Sequence, residues 1–133
     1  MDAPDTVPLP KLRATQDDAK RVPHDAGRST GLVMRHGTME LRWFAPGGED
    51  PQTPHDRDEL YIIASGTGVF MRANDSLSIG DDVSLSLRGE ERVPFGPGDA
   101  LFVPAGTEHR FEEFTADFAT WIVFYGPEGG EAP

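Results

Sequence analysis

The sequence predicts an all-β domain folded as a double-sheet jelly roll, and three observations carry that prediction. Short stretches of β-branched and aromatic residues recur along the 133 residues, separated by turns of Gly, Pro, Asn and Asp. No window sustains a helical hydrophobic period over ten or more residues. An open sheet in so small a protein would expose edge strands, so a closed double-sheet barrel is the expected arrangement. The length fits one domain with a single modest core.

Residues 1–30 are rich in Pro, Asp, Lys and Arg, with few large apolar side chains, and read as an irregular arm, either disordered or laid across a neighbouring subunit. The barrel is expected over residues 31–126. From Gly31 the chain changes character, and Leu41 and Trp43 alternate with Glu40 and Arg42 in the two-residue period of a half-buried strand. Gly37 interrupts this stretch as a turn or bulge, and Pro46, Gly47 and Gly48 end it. Residues 55–70 pass from a polar turn into a β-rich strand that stops at Gly66 and Gly68. Asn74 to Asp82 holds turn formers, Val83 to Leu87 alternates apolar residues with serine, and Gly89 to Glu91 reads as a further turn. Ala100 to Val103 is a short apolar strand that stops at Pro104, turns through Ala105 and Gly106, and restarts at His109. Asp117 to Tyr125 reads as a long buried strand, and residues 127–133 as a loose tail.

Composition excludes several functions. With 12 Lys and Arg against 23 Asp and Glu, the formal net charge of -11 opposes binding to nucleic acid or an anionic bilayer. No stretch approaches the roughly 20 apolar residues of a membrane span, and the N-terminus lacks the pattern of a signal peptide, so a cytoplasmic protein is expected. The absence of cysteine rules out disulfides, thiolate nucleophiles and iron-sulfur clusters, leaving His, carboxylates and other oxygen or nitrogen groups as metal donors. No phosphate-binding loop occurs.

Two segments carry a resemblance. Gly98 to Glu113 has the spacing G-x5-P-x-G-x2-H-x3-E, and His55-x3-Glu59-x6-Gly66 lies upstream. These resemble the second and first signature motifs of the cupin superfamily, whose fold is the double-stranded β-helix, or jelly-roll barrel. Two departures stand out: Thr53 occupies the place of the first motif's first histidine, and Glu113 stands where the second motif usually has Asn. The resemblance implies one divalent metal ion held by His55, Glu59 and His109. Gln52, Thr53 or His36 is a candidate for the missing donor, although His36 reads better as a surface or core residue.

A fully extended strand would hold the Cα atoms of His55 and Glu59 roughly 13 Å apart, so Asp56, Arg57 and Asp58 must bend for the pair to share an ion. Beyond that bend, Glu59, Tyr61 and Ile63 share one face, as do His109, Phe111 and Glu113. Two imidazoles and one carboxylate leave open positions on a divalent ion and a local charge near +1. Fe(II) suits that set first, and Mn, Ni, Co and Zn accept the same donors. The resemblance implies a small metalloenzyme acting on a small organic molecule, dioxygenase-like or an isomerase or lyase, with Tyr61 and Glu113 as groups that move a proton. The alternatives are a non-catalytic metal- or metabolite-binding module and a metal-free structural cupin. Small cupins are commonly homodimers, which the arm and the aromatic edge strands would support.

Overall fold

The structure is a computed structural model describing residues 12–25, 29–48, 50, 53–74, 77–79, 83–85 and 89–133, with 77–79 and 83–85 described by their backbone alone. Among these residues are one short helix, α1 (Gln16–Lys20), and ten strands: β1 (Gly31–His36), β2 (Met39–Phe44), β3 (Asp58–Ser65), β4 (Gly68–Asn74), β5 (Leu77–Ile79), β6 (Val83–Leu85), β7 (Gly89–Phe95), β8 (Ala100–Val103), β9 (His109–Glu112) and β10 (Ala119–Tyr125). All pairings are antiparallel. Five strands form one sheet in the order β1-β2-β10-β3-β8, three form a second in the order β7-β4-β9, and β5 and β6 pair as a hairpin. The all-β jelly-roll class expected from the turn-punctuated strands is the one observed.

The two larger sheets enclose one aromatic core. Alternation along β3 turns Glu59, Tyr61 and Ile63 inward, opposite Phe124 and Ile122 of β10 and Val103 and Leu101 of β8. Phe70 of β4 and Phe111 of β9 face each other across the second sheet, with ring centroids 4.9 Å apart. Phe44, Phe95 and Phe118 complete the filling. The glycine that ends the first motif has a steric reason. Gly66 sits at φ +84°, and a Cβ built there would lie 2.5 Å from the Phe118 Cα.

Three expectations need correction. Hydrogen bonding among the described residues does not run from β8 to β7, so the barrel is two facing sheets with edges rather than a continuous ring. Those edges are guarded by other means. Glu90, Glu91, Arg92 and Pro94 charge or block β7, the Arg72 guanidinium donates to the Phe102 carbonyl on β8, and the Asp50 carboxylate accepts the Phe111 amide on β9. Second, Gly89 to Glu91 is not a turn. It opens β7, because a seven-pair ladder with β4 starts at Asn74 and Gly89.

Third, the segment read as an irregular arm contains α1. A capping box starts this helix: the Asp18 amide donates to Thr15 Oγ1 at 3.1 Å and the Thr15 amide to Asp18 Oδ2 at 3.0 Å. The fully buried Ala19 packs with Trp43 and Ala119 on the outer face of the five-stranded sheet, with Trp121 edge-on to Trp43. Nearby, Asp25 pairs with the buried Arg42 at 2.8 Å. Residues 15–25 therefore lie against their own domain, and residues 1–11 fall outside the described chain.

Candidate metal centre

His55 lies on the bend before β3, Glu59 is the second residue of β3, and His109 opens β9. The bend required at residues 56–58 forms at Asp56 and Arg57, and β3 begins at Asp58. His55 Nδ1 then lies 3.1 Å and His109 Nε2 2.8 Å from Glu59 Oε1. One donor atom from each residue falls within 4.8 Å of the others, and among the described residues this is the one group of three such side chains. His109 and Glu59 are buried, whereas the His55 side chain is 25% exposed and marks the open side.

The hydrogen bonds show why these residues fit a metal ion. His109 Nδ1 is 2.9 Å from the Thr107 carbonyl, which can only accept, so the proton sits on Nδ1. In the neutral ring Nε2 then presents a lone pair to a carboxylate oxygen. Two acceptors at 2.8 Å repel unless a cation, whether a proton or a metal ion, lies between them. The geometry also leaves Nε2 out of line for a hydrogen bond, and Glu59 Oε2 has no partner although fully buried. Buried polar atoms of this kind are costly unless something binds them.

Without a metal the protons must do this work. Burial would push the Glu59 carboxyl up, but the close His109 and His55 rings and their charge hold it below its usual range. Burial would push His109 down, but the Glu59 carboxylate, the Thr107 carbonyl and the Asp50 charge raise it. The pair thus favours an imidazolium and a carboxylate, the charge pattern that a bound cation replaces.

The bend is fixed by residues whose role has no local sequence signal. Asp58 is buried, and its two carboxylate oxygens accept the Ala105 amide (2.9 Å) in the turn before His109 and the Glu131 amide (2.9 Å) in the C-terminal segment. The His55 carbonyl accepts the Gly106 amide at 2.6 Å and the Asp56 carbonyl the Gly129 amide at 2.7 Å. Residues 126–131, read as a loose tail, are therefore part of the wall. On the other side, Arg57 donates to Glu40 Oε2 and rests on the Phe124 ring, against which the His55 ring also packs, 5.0 Å away.

The remaining sequence candidates are placed apart. Thr53 and His36 are exposed and outside the group, and Gln52 lies outside the described residues. Tyr61 is fully buried, its ring 6.0 Å from that of His109 and edge-on to Phe111. Glu113 is exposed and lies beyond the end of β9 at φ 51°, so the alternation that would have set it beside His109 and Phe111 stops at Glu112. The chain turns there to tuck Phe114 against Phe118.

A barrel of this topology with His and Glu at one mouth agrees with the comparison to protein families, where residues 41–125 match the model of the cupin domain. The chain is a cupin. Its sequence is 27% identical to the uncharacterized protein SCO3923 of Streptomyces coelicolor over 117 residues, covering 88% of this cupin and 96% of that protein. Among solved structures, a cupin 2 conserved barrel domain protein from Salinispora arenicola superposes with a TM-score of 0.55 at 20% identity, covering 90% and 91% of the two chains. The plu4264 protein from Photorhabdus luminescens gives 0.57 at 16% identity, with 89% of each chain covered. At these identities the structural likeness bears on the fold alone. No helix among the described residues is long and apolar enough to cross a membrane.

Proposed function

We propose that this cupin holds one divalent transition-metal ion through His55, Glu59 and His109 and uses it to transform a small organic molecule. The observation that carries the reading is the convergence of three donors within 4.8 Å, two of whose buried polar atoms, His109 Nε2 and Glu59 Oε2, have no hydrogen-bond partner. When bound, the ion would supply Lewis acidity and, as Fe(II), a position for dioxygen beside the substrate.

The residues of the chain do the rest. The Thr107 carbonyl holds the proton on His109 Nδ1 and so turns the Nε2 lone pair inward. Glu59 offers a second carboxylate oxygen free of protein partners. The rings of Phe111, Phe70 and Phe124 exclude water from the deep side, where Tyr61 packs and is the residue we assign to hold or move a proton. Glu113 has no place in this scheme, since it is exposed past the strand end.

Dioxygenase-like chemistry is the first choice and isomerase or lyase chemistry the second; a binding module is the reading left if no turnover occurs. Metal analysis of the purified protein beside His109→Ala tests the centre. Close to one equivalent in the wild type and none in the variant is expected, and equal negligible occupancy in both would refute the metal reading. Oxygen consumption by Fe(II)-loaded protein against a metabolite panel separates oxygenase from module, and a loss of rate with bound metal retained in Tyr61→Phe would assign the proton step.

A further inference from the structure

We propose that the cleft between β8 and the inner face of β4 and β7 is a second small-molecule site, taking a small, mostly apolar carboxylic acid whose carboxylate pairs with Arg72. The inference does not depend on the metal reading above.

The cleft exists because the barrel is not closed. Where β8 and β7 fail to join, a cleft of about 240 Å³ opens, lined by Phe70, Leu101, Val93, Phe102, Arg72 and Glu91. Among the described residues three large apolar side chains are exposed, and two of them, Val93 at 44% and Phe102 at 42%, line this cleft. Exposed apolar surface gathered around a concavity marks a binding site more than scattered single residues do.

Phe70 stands between the cleft and the candidate centre. It is buried, with its ring 6.3 Å from the His109 ring and 5.7 Å from that of Tyr61. On β4 and β9, Arg72 stands directly opposite His109, and Phe70 opposite Phe111. Cross-strand partners point to the same side of a sheet, so Arg72 and His109 both face the interior. A ligand anchored at Arg72 and lying on Phe70 thus runs away from the level of His109, toward that of Phe111, and the cleft is a site of its own.

Arg72 fixes the charge of the ligand. Its Nη1 donates to the Phe102 carbonyl at 2.9 Å, which orients the guanidinium, and its Nη2 donates to Glu91 Oε2 at 2.9 Å. Both members of the Arg72–Glu91 pair are exposed, at 37% and 47%, and exposed pairs of this kind add little stability. A ligand carboxylate can take the place of Glu91 and meet the guanidinium with two parallel hydrogen bonds. The volume lies between the roughly 150 Å³ that accommodates benzene and the roughly 300 Å³ at which drug-sized pockets begin, which favours an acid of about ten non-hydrogen atoms.

Phenylacetate and 2-phenylethanol, alike in shape but different in charge, are the probes. Titrated into the metal-free full chain, phenylacetate is expected to bind at least about tenfold tighter than the alcohol, the factor that one charge-assisted hydrogen bond supplies. Arg72→Gln should abolish that preference, and Glu91→Gln, which removes the competing carboxylate, should strengthen phenylacetate binding. Equal affinity for acid and alcohol, or an Arg72→Gln variant that binds phenylacetate like the wild type, would each overturn the proposal. So would a dimer that blocks the probe and dissociates on Phe102→Ser, because a second copy would then fill the cleft.

Discussion

At the scale of single residues, Asp58 is the position through which the candidate centre is most exposed to change. One carboxylate joins the bend after His55 to the turn before His109 and to the C-terminal segment, through the amides of Ala105 and Glu131. Asp58→Asn replaces one acceptor oxygen with a donor, so one of those amides is left facing an NH2 group. Loss of a buried hydrogen bond of this kind costs about 1 to 3 kcal/mol, readable as a lower midpoint in chemical denaturation. Metal affinity should fall as well, although Asp58 is outside the donor group, and unchanged affinity in a destabilised variant would confine its role to stability. His55, Glu59 and His109 were legible as a candidate set because each sits in a segment that resembles a cupin motif; spacing alone ties His55 to Glu59 but not to the distant His109. Asp58 was not, because its partners lie 47 and 73 positions away and any acidic residue in a polar turn looks the same on paper. Glu113 was misread for a related reason. Strand alternation holds only while the strand lasts, and the left-handed residue at φ 51° ends it.

At the scale of elements, β2 carries the charged network that holds the bend from the other side. Glu40 receives Arg42 Nε at 2.8 Å and Arg57 Nη2 at 2.9 Å, with Arg35 at 3.7 Å. Burial pushes the Glu40 carboxyl up, but the hydrogen bond from Arg42 and the charges of Arg42, Arg57 and Arg35 outweigh it and leave the carboxyl below its usual range. A folded-state value below the unfolded one adds stability that is complete above the unfolded value near 4.3 and is lost as pH falls through the folded one. Glu40→Gln should therefore destabilise the protein by about 2 kcal/mol at neutral pH, the scale of a hydrogen bond to a charged group, with Arg42 keeping Asp25 as a second partner. The gap between variant and wild type should close on acidification, and a gap that stayed constant down to acid pH would show that Glu40 acts by shape rather than charge. The sequence marked β2 as a strand from the alternation of Leu41 and Trp43 but implied the wrong inner face, since Glu40 and Arg42 stand opposite the core residues Phe124 and Ile122 while Trp43 lies on the outer face. It gave no sign that Arg42 is buried, because Arg on an alternating strand reads as the solvent side until Asp25 and Thr30 are seen to cover it.

At the scale of the whole molecule, fold class was readable because turn residues and short apolar runs recur along the entire chain. Closure was not. The reasoning that a small sheet must hide its edges is sound, but it names the problem and not the remedy; here Arg72, Asp50 and the charged β7 protect edges that a complete ring would have removed. The opening left by that remedy is the cleft assigned to a small acid. The docked N-terminal segment has a separate consequence. The chain has two tryptophans, and both lie in the cluster around Ala19, with ring centroids 4.9 Å apart at an interplanar angle of 74°. Indole emission will therefore report on α1 and stay silent about the far mouth of the barrel. Ala19→Glu should shift the emission to longer wavelength without separating the two indoles, which the β2–β10 ladder holds together, while treatment with a chelator leaves the emission where it was.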